Sequence, residues 1–204
     1  MKQFGVQFLS IAACLAVLGN CVMPVSAGQQ LGQTDFEDGV GLPWHVCESA
    51  PGEMEFEIRD GKYEITIVNP GGASNGGEDR WDCQFRHRGL KLVSGCTYEV
   101  AYEITASNNC TYYTKIGDMA EPFTEDWHGN PDDGQYDSYW NVQNLTANQT
   151  VSFHGTFTAN RTAEVEWAFH IGGDTVPAGT VFTFDNMSLI CMRAHNVEHV
   201  YKVA

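Results

Sequence analysis

The sequence predicts an all-β protein, folded as an antiparallel β-sandwich or jelly roll. Three observations carry that expectation. Short segments alternate apolar and polar residues with a period of two. Turn-forming Gly, Asn, Asp and Pro residues separate those segments at short spacing. No convincing helix of ten residues interrupts them.

Taken in order, residues 53–58 put Met54, Phe56 and Ile58 on one face. Asp60-Gly61 is a hairpin turn signal. Residues 62–68 alternate again, with Tyr63, Ile65 and Ile67 inward, and residues 69–77 form a Pro/Gly/Asn loop. Residues 81–89 are the most informative strand. Cys83, Phe85 and His87 point to one side, and Gln84, Arg86 and Arg88 to the other. Ser94-Gly95 turns the chain into residues 97–105, where Tyr98, Val100, Tyr102 and Ile104 share a side. Strands at 110–116, 150–158, 163–171 and 181–190 follow, for about nine in all. The long segment 117–144 is rich in aromatic and turn residues, including Trp127, Tyr136, Tyr139 and Trp140. Loops of that length in compact domains are commonly functional.

Charge and the N-terminus narrow the function. The chain carries 26 acidic and 11 basic residues, a formal net charge of −15. Such a surface repels nucleic acid and anionic membranes, so neither is expected as a partner. Lys2 is the only charge before Asp35, an apolar run extends from Phe8 to Leu18, and Val25-Ser26-Ala27 offers small residues for cleavage. Residues 1–27 therefore read as a secretory signal, too short in its apolar run for a membrane span, and the protein is expected outside the cell. Five cysteines follow that segment: Cys47, Cys83, Cys96, Cys110 and Cys191. Their spacing matches no zinc pattern and leaves the disulfide pairing open. Five Asn-x-Ser/Thr sequons, at Asn109, Asn144, Asn148, Asn160 and Asn186, matter only in a eukaryotic secretory pathway.

The row Gln84, Arg86, Arg88 is a set of planar hydrogen-bonding groups on an open sheet face. Gln both donates and accepts, as sugar hydroxyls do, and Arg supplies a rigid fork of donors. Each such bond contributes only about 0.5–1.5 kcal/mol, so several must converge on a neutral, polar ligand, here read as a sugar chain. Trp81 at the head of the strand is a candidate for stacking on a sugar ring. Strict alternation would bury it beside Cys83 and Phe85 unless a bulge intervenes. Trp44, after Pro43, reads as core.

Six motifs in order carry a resemblance. They are Pro43-Trp44-His45-Val46-Cys47-Glu48, the strand with Arg86-His87-Arg88-Gly89, Tyr113-Thr114-Lys115-Ile116-Gly117, Glu121-Pro122-Phe123-Thr124-Glu125, Phe169-His170-Ile171-Gly172-Gly173 and Asp185-Asn186-Met187-Ser188-Leu189. Together they resemble a family 4 carbohydrate-binding module, of the kind at the N-termini of family 9 cellulases and cellobiohydrolases. The likeness runs from Thr34 to Cys191. It implies a jelly roll with a concave ligand-binding face, a module at 28–191, and a linker or tail at 192–204. It implies binding of single β-glucan chains, such as amorphous cellulose and cello-oligosaccharides, by a monomer that can sit beside a catalytic domain or in a cellulolytic complex. The resemblance aims Tyr113, Lys115, Glu166 and His170 into the groove and makes Trp140 the stacking platform, with Trp127 or Tyr139 as stand-ins because the loop is longer than usual. It also implies a structural calcium held by Asp35, Gly61 and Asp185, oxygen ligands that suit a hard cation.

The competing class is a jelly-roll glycoside hydrolase or lyase acting on β-glucan. Hydrolysis needs two carboxylates flanking the scissile bond. Glu166 is the one groove-facing carboxylate with support, and Asp82 shares its parity only at the strand's start. One carboxylate among Gln and Arg favours binding without catalysis. An immunoglobulin-type interaction module would need a Cys…Trp…Cys core that the sequence lacks.

Overall fold

A computed structural model of the 204-residue chain describes residues 28–29, 35–72, 80–129 and 142–192. The expected signal segment and the tail beyond 192 lie outside them. The described strands are β1 (Gly28–Gln29), β2 (His45–Glu48), β3 (Glu53–Arg59), β4 (Lys62–Asn69), β5 (Cys83–Leu92), β6 (Thr97–Ala106), β7 (Cys110–Gly117), β8 (Glu125–His128), β9 (Gln143–Leu145), β10 (Val151–Thr158), β11 (Ala163–His170) and β12 (Val181–Cys191).

They form two antiparallel sheets. One has the order β10-β6-β12-β4-β3, with β1 on β12. The other has the order β2-β5-β11-β7-β8, with β9 on β7. The inner rows of both sheets make the core, because alternation gives each strand one apolar side. Phe85 of β5 shows the packing. It stacks on Trp44 at 4.7 Å between ring centroids and meets Phe184 of the opposite sheet at 4.4 Å. Trp44, Trp167, Phe169 and Tyr102 complete this aromatic centre, all almost wholly buried. The hydroxyl of Tyr102 is paired with that of Tyr112 at 3.0 Å, so its polar tip is satisfied.

The expected strands are present, with ends that differ by up to three residues. Asp60 (φ 52°) and Gly61 (φ 70°) both adopt positive φ between β3 and β4, the two-residue turn that matches strand twist. Of Met54, Phe56 and Ile58, read as one face, Met54 is buried while Phe56 is 56 % exposed on the edge strand β3, its ring resting on Tyr63. One expectation changes. The segment 117–144, read as one loop, contains β8 and β9, which clip onto β7. The thiols of Cys47, Cys83 and Cys110 are free. Burial pushes that of Cys83 up to about 12, and it donates to the Asn69 carbonyl.

Candidate functional site

The outer face of β5, β11 and β7 holds a groove of about 350 Å³. Register decides its floor. Gln84 lies opposite His170, and His170 opposite Tyr113. Arg86 lies opposite Ala168, and Ala168 opposite Lys115. The outward rows of three strands thus meet as one surface. Alternation along β11 keeps Val165, Trp167 and Phe169 in the core while Glu166 and His170 face out, and the register shift between Val165 and Trp167 falls opposite Arg88 and Gly89 of β5, where Gly89 has φ 75°. Ala168, between Glu166 and His170, leaves a recess over the middle strand.

The floor is recessed and densely bonded. Glu166 is buried, and its Oε2 accepts a hydrogen bond from Arg88 Nε at 3.0 Å, with Arg86 Nη1 at 3.9 Å. Charge-assisted bonds of this kind lock the guanidinium planes in place. Arg86 Nε also donates to His45 Nε2 of β2 at 3.2 Å. The Gln84 amide donates to the Trp81 carbonyl at 2.9 Å. Lys115 is buried, and its ammonium lies 5.5 Å from the centroid of the Phe123 ring. His170 is 7 % exposed, and its Nδ1 has no hydrogen-bond partner. Burial, and then the nearby charges of Lys115, Arg80 and Arg86, lower its pKa to about 3, so the ring is neutral.

Of the residues selected from the sequence, Trp81, Gln84, Arg86, Arg88, Lys115, Glu166 and His170 line this groove together. Trp81 arrives there by a route that alternation did not foresee. Arg80–Asp82 form a 3-10 turn, held as the Gly172 N–H donates to the Arg80 carbonyl, so the strand begins at Cys83 and Trp81 escapes its parity. Asp82 is buried behind, accepting from the Gly72 N–H. Tyr113 is fully buried and does not line the groove; its hydroxyl donates to the Glu125 carboxylate from beneath. Trp127 is 3 % exposed and packs on Phe153, Phe157 and Trp167, which removes it as a platform. Trp140 and Tyr139 lie outside the described residues.

Sequence reasoning missed Met119, Phe123 and Glu125, which form the groove wall beyond β7. They come from the β7–β8 hairpin, which closes tightly. The Asp118 N–H donates to the Thr124 carbonyl, and a Cβ on Gly117 would lie 2.2 Å from that same oxygen. Arg161 pins the hairpin from the β10–β11 turn, bidentate to Asp126 and bonded to Asp118 at 2.7 Å. The Arg161 bond holds the Asp118 carboxyl below the usual range. Glu125 gives the groove a second carboxylate beside Glu166, and both accept bonds from the protein's own donors. Asp35 and Asp185 lie away from this groove, and each bonds a backbone N–H close by in sequence.

Comparison with known proteins gives the same answer at family level. A family described as a carbohydrate binding domain matches residues 28–179. A cellulose 1,4-β-cellobiosidase from Acetivibrio thermocellus is 33 % identical over 178 residues, 82 % of this chain; the chain spans only 18 % of that enzyme's length. Among solved structures, a family 4 carbohydrate-binding module superposes with a TM-score of 0.57 at 24 % identity, covering 72 % of this chain and 86 % of that one. The N-terminal cellulose-binding domain of Cellulomonas fimi β-1,4-glucanase C superposes with a TM-score of 0.56 at 17 % identity, covering 79 % and 96 %. Those two likenesses bear on the fold, and the sequence match bears on descent. With a β-sandwich, a groove across one sheet and a family match over most of its length, the chain belongs to the carbohydrate binding domain family.

Proposed function

We propose that the groove binds a single β-glucan chain, of the cello-oligosaccharide or amorphous cellulose type, without cleaving it. The observation that carries this is the floor itself. Gln84, Arg86, Arg88, Glu166, Lys115 and His170 present donors and acceptors from three adjacent strands in one recess, with Trp81 at its head. A neutral polyhydroxylated chain can satisfy such a surface, and the partnerless His170 Nδ1 would gain a hydroxyl. Both groove carboxylates are engaged by Arg and Tyr, an arrangement that suits holding a ligand more than attacking it. Titration of the protein with cellohexaose, with product analysis, tests the reading. Saturable binding without shorter sugars is expected.

The rest of the reading follows from the cellobiosidase relative and the sequence. The module would hold a catalytic domain or a cellulolytic complex near its polysaccharide, outside the cell, after export on residues 1–27. A structural calcium also belongs here. The Phe184–Tyr63 pairing carries Asp185 beside the Asp60-Gly61 turn, and a Cβ on Gly61 would lie 2.4 Å from Glu37 Oε1. Asp35, the Gly61 carbonyl and Asp185 would hold the ion, which would tie the first segment to the last strand. Among the described residues no three His, Cys, Asp or Glu side chains gather as a metal cluster, so backbone carbonyls must supply much of the ligand set.

A further inference from the structure

We propose that the recess over Ala168, between Arg86 and Lys115, takes the carboxylate of an acidic sugar, so that a β-glucan chain carrying a uronate binds more tightly than the same chain uncharged. The assignment rests on the β-glucan reading of the groove and adds a charged substituent to that chain.

Register builds the recess. Arg86 of β5 and Lys115 of β7 both lie opposite Ala168 of β11. Adjacent strands are about 4.8 Å apart, so the backbones of the two cations stand about 10 Å apart with only a methyl group between them. His170 and Glu166 lie two residues to either side of Ala168 and share its face.

Charge around the recess is unbalanced. Lys115 is buried, and its ammonium faces the Phe123 ring. Among the described residues no carboxylate pairs with it. A buried ammonium without a counter-charge is costly, and a ring face offsets only part of that cost. Arg86 shares its acid: Glu166 Oε2 is 3.9 Å from Arg86 Nη1 but 3.0 Å from Arg88 Nε. The other groove carboxylate, Glu125, accepts from the Tyr113 hydroxyl. Three cations therefore face two carboxylates along the groove, a positive excess in a chain whose formal net charge is −15.

His170 is a second, independent sign. It lines the groove at 7 % exposure, and its Nδ1 has no hydrogen-bond partner. After burial itself, the charges of Lys115, Arg80 and Arg86 keep the ring neutral, so the field at this point is positive. A carboxylate is at once the counter-charge that Lys115 lacks and an acceptor for an imidazole N–H. In a glucuronate unit the carboxylate replaces the hydroxymethyl group of glucose, so an acidic chain can lie in the groove as a neutral one does. The acidic surface elsewhere opposes this weakly, because charges beyond about 8 Å are largely screened at physiological ionic strength.

The test uses cellohexaose and a set of β-1,4-linked hexasaccharides, each with glucuronate in place of glucose at one position. The methyl ester of each acid keeps its shape without its charge. By calorimetric titration of the parent chain, the tightest acid is expected to bind about tenfold more tightly than its own ester. Lys115→Met keeps an unbranched side chain and removes the charge; it is expected to bring that ratio within about twofold, whatever it does to either affinity alone. A parent ratio near one at every position overturns the carboxylate site, and so does a ratio that survives in Lys115→Met. If cellohexaose binds while the parent ratio stays near one, the glucan reading stands and this site alone falls. If the parent binds none of these sugars, both fall.

Discussion

The outer faces of the two sheets differ although the same alternation built them. On the β6–β12–β4 sheet the outward row carries Glu99, Glu103, Thr105, Thr183 and Glu64, all partly exposed. Their bonds are short-range surface pairs, such as Ser152 with Glu103 and His154 with Glu99. On the β5–β11–β7 sheet the outward row carries Arg86, Lys115, Glu166 and His170, of which the last three are buried and the first is partly buried. A hairpin wall covers that row, and its charges interlock across strands. The acids on the first face stay partly solvated. Recessed and interlocked polar groups on the other are oriented before a ligand arrives, which lowers the ordering cost of binding.

Substitutions can break this contrast, and the largest effect is expected from its cationic pair. Replacing Arg86 and Arg88 together by Ala removes the donors flanking Glu166. Cellohexaose affinity is expected to fall at least about 100-fold, while Glu99→Ala with Glu103→Ala leaves it unchanged. Equal effects on the two faces, measured by the same titration, would erase the distinction.

Next in size is the acid that the two arginines share. Glu166→Leu leaves guanidinium charge in the recess without its buried acceptor. A loss of about 1–3 kcal/mol in denaturant unfolding is expected, discounted because Arg88 is substantially solvated. The matching change on the other face, Glu103→Leu, is expected to cost under about 0.5 kcal/mol.

Arg161→Ala comes third. It frees Asp118 and Asp126 and loosens the wall, for an expected loss of about 1–2 kcal/mol. Asp118 has a lowered folded pKa. Its contribution is therefore full above the ordinary carboxylate value of 3.8 and is lost as pH falls through the depressed value. The gap between parent and variant unfolding midpoints should narrow in that acid range; a gap that stays constant would argue against the pairing.

The smallest expected effect is on affinity, and it separates binding from stability. His170 is held neutral, with its pKa lowered from 6.5 to about 3. As pH falls below 6.5 the unfolded chain takes up a proton that the native ring refuses, so stability declines until about pH 3. Affinity should stay flat between about pH 5 and about pH 8, since the ring does not change charge there. A step in affinity near pH 6.5 would show that His170 titrates in the groove.

The sequence made one half of the groove legible. Period-two alternation in β5 sorted Phe85 from Arg86, because a single strand carries that information locally. The position of Trp81 was not legible. It depends on a 3-10 turn held by the Gly172 N–H, more than ninety residues away in the chain. The wall was not legible either. β8 has four residues, too few to show alternation, and Phe123 reaches the groove only because Gly117, Thr124 and Arg161 close the hairpin. Trp127 misled for a related reason. An aromatic-rich segment reads as a binding loop until pairing with β7 turns that ring inward, onto Phe153 and Trp167.

The central claim is that the recessed face binds a neutral glucan chain and leaves it intact. Calorimetric titration of the protein with cellohexaose, followed by chromatography of the same sample, tests it most directly. The account predicts saturable one-to-one binding and cellohexaose recovered unchanged. Shorter sugars in the recovered sample, or no heat of binding at any concentration reached, would contradict it.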